Sequence, residues 1–150
     1  MIRLSRLTDY AIVIVADLAR QPGQLQAATE IADRTKIPEP TVAKVLKILA
    51  RSDVLQSARG VNGGYLIARA LDQISIGEVI EAMNGPLSLT SCVEGSVENC
   101  SIADHCLLRG RWDPVNLAIK NAFASIKLSD MIKTACVGCP VQQPALGAVG

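Results

Sequence analysis

The sequence predicts a mainly α-helical fold carrying one small β-hairpin, and three observations lead to it. Apolar residues recur at spacings of three and four in several separate stretches, as amphipathic helices require. A single Asn62-Gly63-Gly64 turn separates two short β-prone runs. After residues 87–111, where periodicity is lost, Asp113-Pro114 opens a last, long helix as an N-cap and first-turn pair.

Taken in order, residues 5–20 place Leu7, Ala11, Ile14, Val15 and Leu18 on one helical stripe, and Gln21-Pro22-Gly23 stops it. A short second helix fits 28–35, with Ala28, Ile31 and Ala32 inward. Pro38 suits the first turn of a third helix that runs to about Arg51. On that helix Val42, Val45, Leu46 and Leu49 form the inner stripe, while Pro40, Lys44, Lys47 and Arg51 share the opposite face and Thr41 stands beside its start. Two helices joined by a tight turn, the second basic on its outer face, make the helix-turn-helix pattern whose second helix enters a DNA major groove. Residues 54–59 and 65–68 then read as the strands of a hairpin, a wing with Arg59 at its tip, within reach of phosphate or a narrow minor groove. Ser75-Ile76-Gly77-Glu78 is a capping box, with Ile74 and Val79 as its hydrophobic staple, and Gly85-Pro86 ends the helix it starts. Val115, Ile119, Ala122, Phe123 and Ile126 give the last helix an apolar stripe to about Leu128, a candidate subunit contact. The chain thus divides into a winged helix-turn-helix domain over 1–86, a cysteine loop over 87–111, a dimerisation helix region over 112–133 and a flexible tail over 134–150.

Composition narrows the function classes. The 150 residues are 49% hydrophobic with mean hydropathy +0.29, enough for one core. With only Tyr10, Tyr65, Trp112 and Phe123, the chain lacks a stacking platform for single-stranded nucleic acid. The net charge of +1 conceals +4 over residues 1–69 and −3 over 70–150, and within 34–69 seven cations face two carboxylates. A polyanion would approach that end first. No stretch reaches the roughly 18 apolar residues of a membrane span, and the run after Arg3 and Arg6 is too short for an export signal. A cytosolic protein is expected, so its five cysteines read as metal ligands or redox groups rather than disulfides.

Cys92, Cys100 and Cys106 are spaced Cys-x7-Cys-x5-Cys, which is neither a zinc ribbon nor a plant-type ferredoxin pattern. Three thiolates in one loop supply three of the four protein ligands of an iron–sulfur cluster, with structural zinc or three unrelated cysteines as the alternatives. Cys136-x2-Cys139 reads as accessory thiols on the tail, or as a redox pair without the βαβ setting such a motif needs.

These features together resemble the Rrf-two-type winged-helix regulators, the bacterial family of IscR-, NsrR- and SufR-like repressors. The resemblance covers roughly residues 1–133 and rests on Leu7-Thr8-Asp9-Tyr10-Ala11, Ile31-Ala32 before Ile37-Pro38, Val45-Leu46 with Leu49, Arg59-Gly60 with Gly63-Gly64-Tyr65, Gly77-Glu78-Val79-Ile80 and the three loop cysteines. It implies a homodimer with crossing C-terminal helices, recognition helices in successive major grooves of double-stranded operator DNA, and an iron–sulfur cluster on Cys92, Cys100 and Cys106. The expected cluster is 2Fe-2S, with 4Fe-4S as the alternative. Where the IscR type has its fourth ligand, a His, this chain has Arg109. The NsrR-like alternative, a carboxylate from the other subunit, falls on Asp9, with His105 the second candidate. The expected function is a cytoplasmic, dimeric, cluster-sensing repressor of Suf-type iron–sulfur assembly genes. The alternatives are a nitric oxide or redox sensor of the same family and, in another class, a thiol-disulfide enzyme using Cys136 and Cys139. Against the enzyme stands the lack of any nucleophile–base–orienter set in a chain with one His.

Overall fold

A computed structural model describes residues 3–96 and 100–132. Helix α1 spans Arg6–Leu18 because Ser5 caps it: the Thr8 amide donates to Ser5 Oγ at 3.2 Å. Helix α2, Ala28–Thr35, begins where Glu30 reaches back to accept from the Ala27 amide at 3.0 Å, and stops at Lys36, whose φ of 61° is left-handed. Helix α3, Glu39–Arg51, starts one residue later than the proline rule suggests, with Pro38 outside as N-cap and Pro40 in the first turn, where its missing N–H costs no bond. Strands β1, Leu55–Ala58, and β2, Gly64–Ile67, pair antiparallel from Leu55 opposite Ile67 to Ala58 opposite Gly64. Helix α4 spans Ile76–Asn84; its capping box is complete, and Gly85 ends it at φ 82°. The fold is the mainly α, winged helix-turn-helix arrangement expected.

The core lies among α1, α3 and α4. Ile14, Val15, Leu18, Val45, Leu46 and Val79 are fully or almost fully buried, each side chain contributing roughly 1.5–3 kcal/mol. The wing is tied to this body by Gln26, whose amide donates to Tyr65 O at 3.0 Å and whose carbonyl accepts from the Tyr65 amide at 2.9 Å. The approach is close enough that a Cβ on Gly64 would lie 2.6 Å from Gln26 O, so this position admits only glycine without moving backbone.

The C-terminal part departs from expectation. The last long helix does not reach Leu128: α5 spans Asp113–Ser125, and a separate turn of helix, α6, covers Leu128–Met131. Between them the chain is extended, with the Ile76 amide donating to Ile126 O and the Leu128 amide to Ile74 O, both at 2.9 Å. Pairing with the start of α4 and burial of Leu128 override the local helical pattern. Trp112, not Asp113, is the N-cap of α5; Asp113 and Pro114 are its first two residues.

Glu78 serves both the α4 cap and an ion pair, Arg69 Nη2 donating to Glu78 Oε1 at 2.6 Å. Burial pushes the Glu78 carboxyl up, but the hydrogen bonds from Arg69 and Ser75 with the Arg69 charge outweigh it and hold the group below its ordinary range. A lowered carboxylate stabilises the fold above its unfolded value, about 4.3, and that contribution disappears as pH falls through the folded one. The melting temperature is therefore expected to fall with acidification through this range, and Glu78→Gln to flatten that part of the dependence. An unchanged slope in Glu78→Gln would assign the acid sensitivity elsewhere.

Candidate nucleic-acid interface and cysteine loop

The α2–α3 turn is built by a few local bonds. Thr35 Oγ1 donates to Ile31 O at 2.8 Å, left-handed Lys36 reverses the chain, and the Thr41 and Val42 amides both donate to Pro38 O. With Val42, Val45, Leu46 and Leu49 buried, α3 turns Pro40, Lys44, Lys47 and Arg51 to solvent, while Thr41 is half-buried at its first turn. Arg59 is exposed where β1 gives way to the wing turn, next to Gly60 and the fully exposed Val61. Two of the seven cations between 34 and 69 are engaged within the protein, Arg34 with Asp17 and Arg69 with Glu78. Among the described residues no carboxylate lies within ion-pair distance of Lys36, Lys44, Lys47, Arg51 or Arg59. The uncompensated positive charge is thus concentrated on α3, the turn before it and the wing, where a phosphate backbone can replace solvent counterions.

The scaffold beneath this face contains residues that the periodicity argument passed over. Asp17 is buried at the end of α1 and receives Arg34 through Nε at 2.9 Å and Nη2 at 2.7 Å. That bond, followed by the Asp17 charge, keeps the guanidinium more firmly protonated than usual. The same Nη2 donates to Gln26 Oε1, and Gln26 Nε2 donates to Leu18 O at 3.2 Å. One network, anchored on buried Asp17 and Gln26 with the partly exposed Arg34 between them, therefore fixes α1, α2 and the wing against each other. Its only trace in the sequence is a charged residue, Asp17, on a stripe shared with Ile14 and Leu18.

The cysteine loop runs from α4 to α5. Cys92, Cys100 and Cys106 are free and half-buried. Thr90 Oγ1 lies 3.3 Å from Cys92 Sγ. Cys100 precedes a single 3-10 turn, Ala103–His105, and Cys106 follows it. Among the described residues, no three His, Cys, Asp or Glu side chains converge as a ready metal site. The donor set nevertheless suits an iron–sulfur cluster in its chemistry: three soft thiols, none in a disulfide, on one short loop. Asp9 is exposed in the first turn of α1 with no ion-pair partner among the described residues, and His105 is exposed beside Cys106. Arg109 stands 3.6 Å from Asp104, both exposed. Cys136 and Cys139, with the expected flexible tail, lie outside the described residues.

The profile of the Rrf2 family, described as iron-dependent transcriptional regulators, matches residues 4–134. The chain belongs to the Rrf2 family. It is 30% identical over 131 residues to the HTH-type transcriptional regulator IscR of Sodalis glossinidius, covering 87% of this chain and 78% of that protein. It is 29% identical over 109 residues to the HTH-type regulator NsrR of Shouchella clausii, covering 72% of this chain and 73% of that one. Among solved structures, CymR, the global cysteine regulator of B. subtilis, superposes with a TM-score of 0.65 at 25% identity, over 89% of this chain and 98% of CymR. IscR of T. potens gives 0.60 at 27% identity, over 88% and 87%. This Rrf2 protein is a DNA-binding transcription regulator, not an enzyme. No helix among its described residues is long and apolar enough to cross a membrane.

Proposed function

We propose that this Rrf2 regulator is a homodimeric repressor that reads double-stranded operator DNA with α3 and the wing, and senses an iron–sulfur cluster held by Cys92, Cys100 and Cys106. The observation that carries the proposal is the cysteine loop itself: three free thiols on the segment joined to α5, in a chain whose helix-turn-helix and wing carry five cations, Lys36, Lys44, Lys47, Arg51 and Arg59, without a carboxylate partner among the described residues. Pro40, Thr41 and Lys44 at the start and middle of α3 are the base-facing candidates, Lys47 and Arg51 the phosphate contacts, and Arg59 the minor-groove probe. The dimer is supported by α5, where Val115 and Leu117 are exposed apolar residues that its own domain leaves uncovered. When bound, the cluster supplies a centre that reacts with oxidants and nitric oxide. Suf-type assembly genes as targets, the 2Fe-2S form and cytoplasmic residence are supported by the family resemblance.

The visible absorption spectrum of anaerobically purified protein, combined with binding to DNA from its own promoter, tests this reading. Cluster bands and sequence-dependent binding that changes on cluster loss are expected; colourless protein after anaerobic reconstitution would overturn the sensor. A further expected result concerns the wing. Arg59→Ala should weaken operator binding by about tenfold and random-sequence binding much less, because a minor-groove guanidinium reads shape. Equal losses on both DNAs would make Arg59 a plain phosphate contact.

The fourth ligand is proposed to be Asp9 of the partner subunit. A carboxylate is a harder donor than a thiolate and holds iron less firmly, so it makes the weakest bond of the set. Asp9→Ala is expected to shift the visible spectrum and blunt the DNA response, and His105→Ala to leave both near wild type. The reverse ranking would move the fourth ligand to His105.

A further inference from the structure

Asn116 is 4% exposed although it sits on a helix with little buried surface, and both ends of its amide are used. Its Nδ2 donates to Leu87 O at 3.2 Å and its Oδ1 accepts from the Leu89 amide at 3.1 Å. One turn earlier Asp113 Oδ1 accepts from the Glu94 amide at 2.9 Å. These two side chains pin the incoming arm of the cysteine loop to the first turns of α5 at points that bracket Cys92, and the adjacent Val93 is buried. The other two cysteines are held differently. Among the described residues, the backbone hydrogen bonds of 100–111 are local, such as Ala103 N to Cys100 O and Arg109 N to Cys106 O, both 3.3 Å.

We propose that Asn116, assisted by Asp113, is a positioning residue that fixes Cys92 against α5 before any metal binds, making Cys92 the anchored ligand around which the segment carrying Cys100 and Cys106 closes. The inference rests on the cluster reading for its purpose, but the clamp itself is a property of the metal-free chain. A buried side-chain amide that satisfies two backbone groups leaves both unpaired when truncated. The loop arm then opens locally while the rest of the fold stays closed. Because the pinning side chains belong to α5, the same clamp makes the position of Cys92 and the position of α5 one variable.

The test is the rate at which each thiol of the metal-free, full-length chain is alkylated by iodoacetamide, read cysteine by cysteine by mass spectrometry. Asn116→Ala is expected to speed Cys92 by about tenfold and to leave Cys100 and Cys106 within about twofold of wild type. Asp113→Ala should speed Cys92 by a smaller factor. If Asn116→Ala loses helical circular dichroism, Asp113→Ala decides alone. Unchanged Cys92 in the folded variants, or equal acceleration of all three cysteines, would overturn the clamp. Reconstitution with ferrous iron and sulfide then separates the two ideas. Wild-type protein that takes up no cluster overturns the cluster reading while the alkylation result still decides the clamp. If wild type loads and Asn116→Ala releases iron to a chelator about tenfold faster, Cys92 is the anchored ligand; release at the wild-type rate despite faster alkylation would overturn that role.

Discussion

Cys92→Ala, Cys100→Ala and Cys106→Ala are each expected to yield protein that retains no iron–sulfur cluster after anaerobic reconstitution. Each change removes one of three thiolates from a loop that offers no fourth: its remaining described donors, Glu94, Asp104 and His105, are harder oxygen or nitrogen ligands, and Asp104 is paired with Arg109. All three cysteines are half-buried and outside the helical core, so alanine there should leave the melting temperature close to wild type. Loss of colour would then report ligation and not unfolding. Cys136→Ala and Cys139→Ala should keep the cluster. Bleaching by the tail substitutions with retention in the loop variants would reassign the site.

The second large effect is expected on DNA. Lys47 and Arg51 lie one turn apart on the outward face of α3, both exposed and without a carboxylate partner among the described residues. If each contacts a phosphate, its replacement by alanine lowers the slope of log K against log salt by about one unit. The double variant should lose about two units and bind operator and random DNA more weakly by similar factors, at least about tenfold at low salt. Lys44→Ala, nearer the start of the helix, should instead cost operator binding more than random binding, about 1–3 kcal/mol for a base-edge contact. A salt slope unchanged in the double variant would remove α3 as the DNA-facing element.

The helices of the winged helix-turn-helix part were legible because several carry their own boundary signals: Ser5 before α1, the Ser75–Glu78 box before α4, Gly85 after it. The wing was legible because Asn62-Gly63-Gly64 marks a hairpin and follows a helix with a basic face. What the chain did not reveal by periodicity are interactions between distant residues. Nothing local says that Ile126 and Lys127 must be extended, since their conformation is set by pairing with Ile74, Ser75 and Ile76 about fifty residues earlier. Gln26 lies between the first two helices, where no periodicity marks it, yet its backbone pairs with Tyr65 of the wing and its side chain joins Arg34 and Leu18. Asn116 left a usable trace: it shares a helical face with Ile119 and Phe123, and a polar residue on such a face calls for a buried partner. The three cysteines identify a ligand set by type and spacing. Their meeting depends on what they bind, a dependence that residue spacing does not encode.

The way α5 is held has a mechanical consequence. Near its first turns it is fastened to the cysteine loop through Asn116 and Asp113, and just past its far end Leu128 is fastened to Ile74 at the threshold of α4. Thirteen residues at about 1.5 Å each make a stiff rod roughly 20 Å long between two fixed points. A rod held in this way has no slack. If the cysteine end is displaced, α5 cannot absorb the movement by bending; it must swing about the Leu128 anchorage, sweeping its exposed Val115 and Leu117 through the larger arc and the residues near Ser125 through the smaller. Strain delivered to the anchorage arrives at Ile74 and Ser75, where α4 begins and where Glu78 reaches back to Arg69 at the end of the wing. The winged helix-turn-helix half of the molecule, proposed to read DNA, thus receives, as a small rotation at one hinge, a displacement at the loop on the other side.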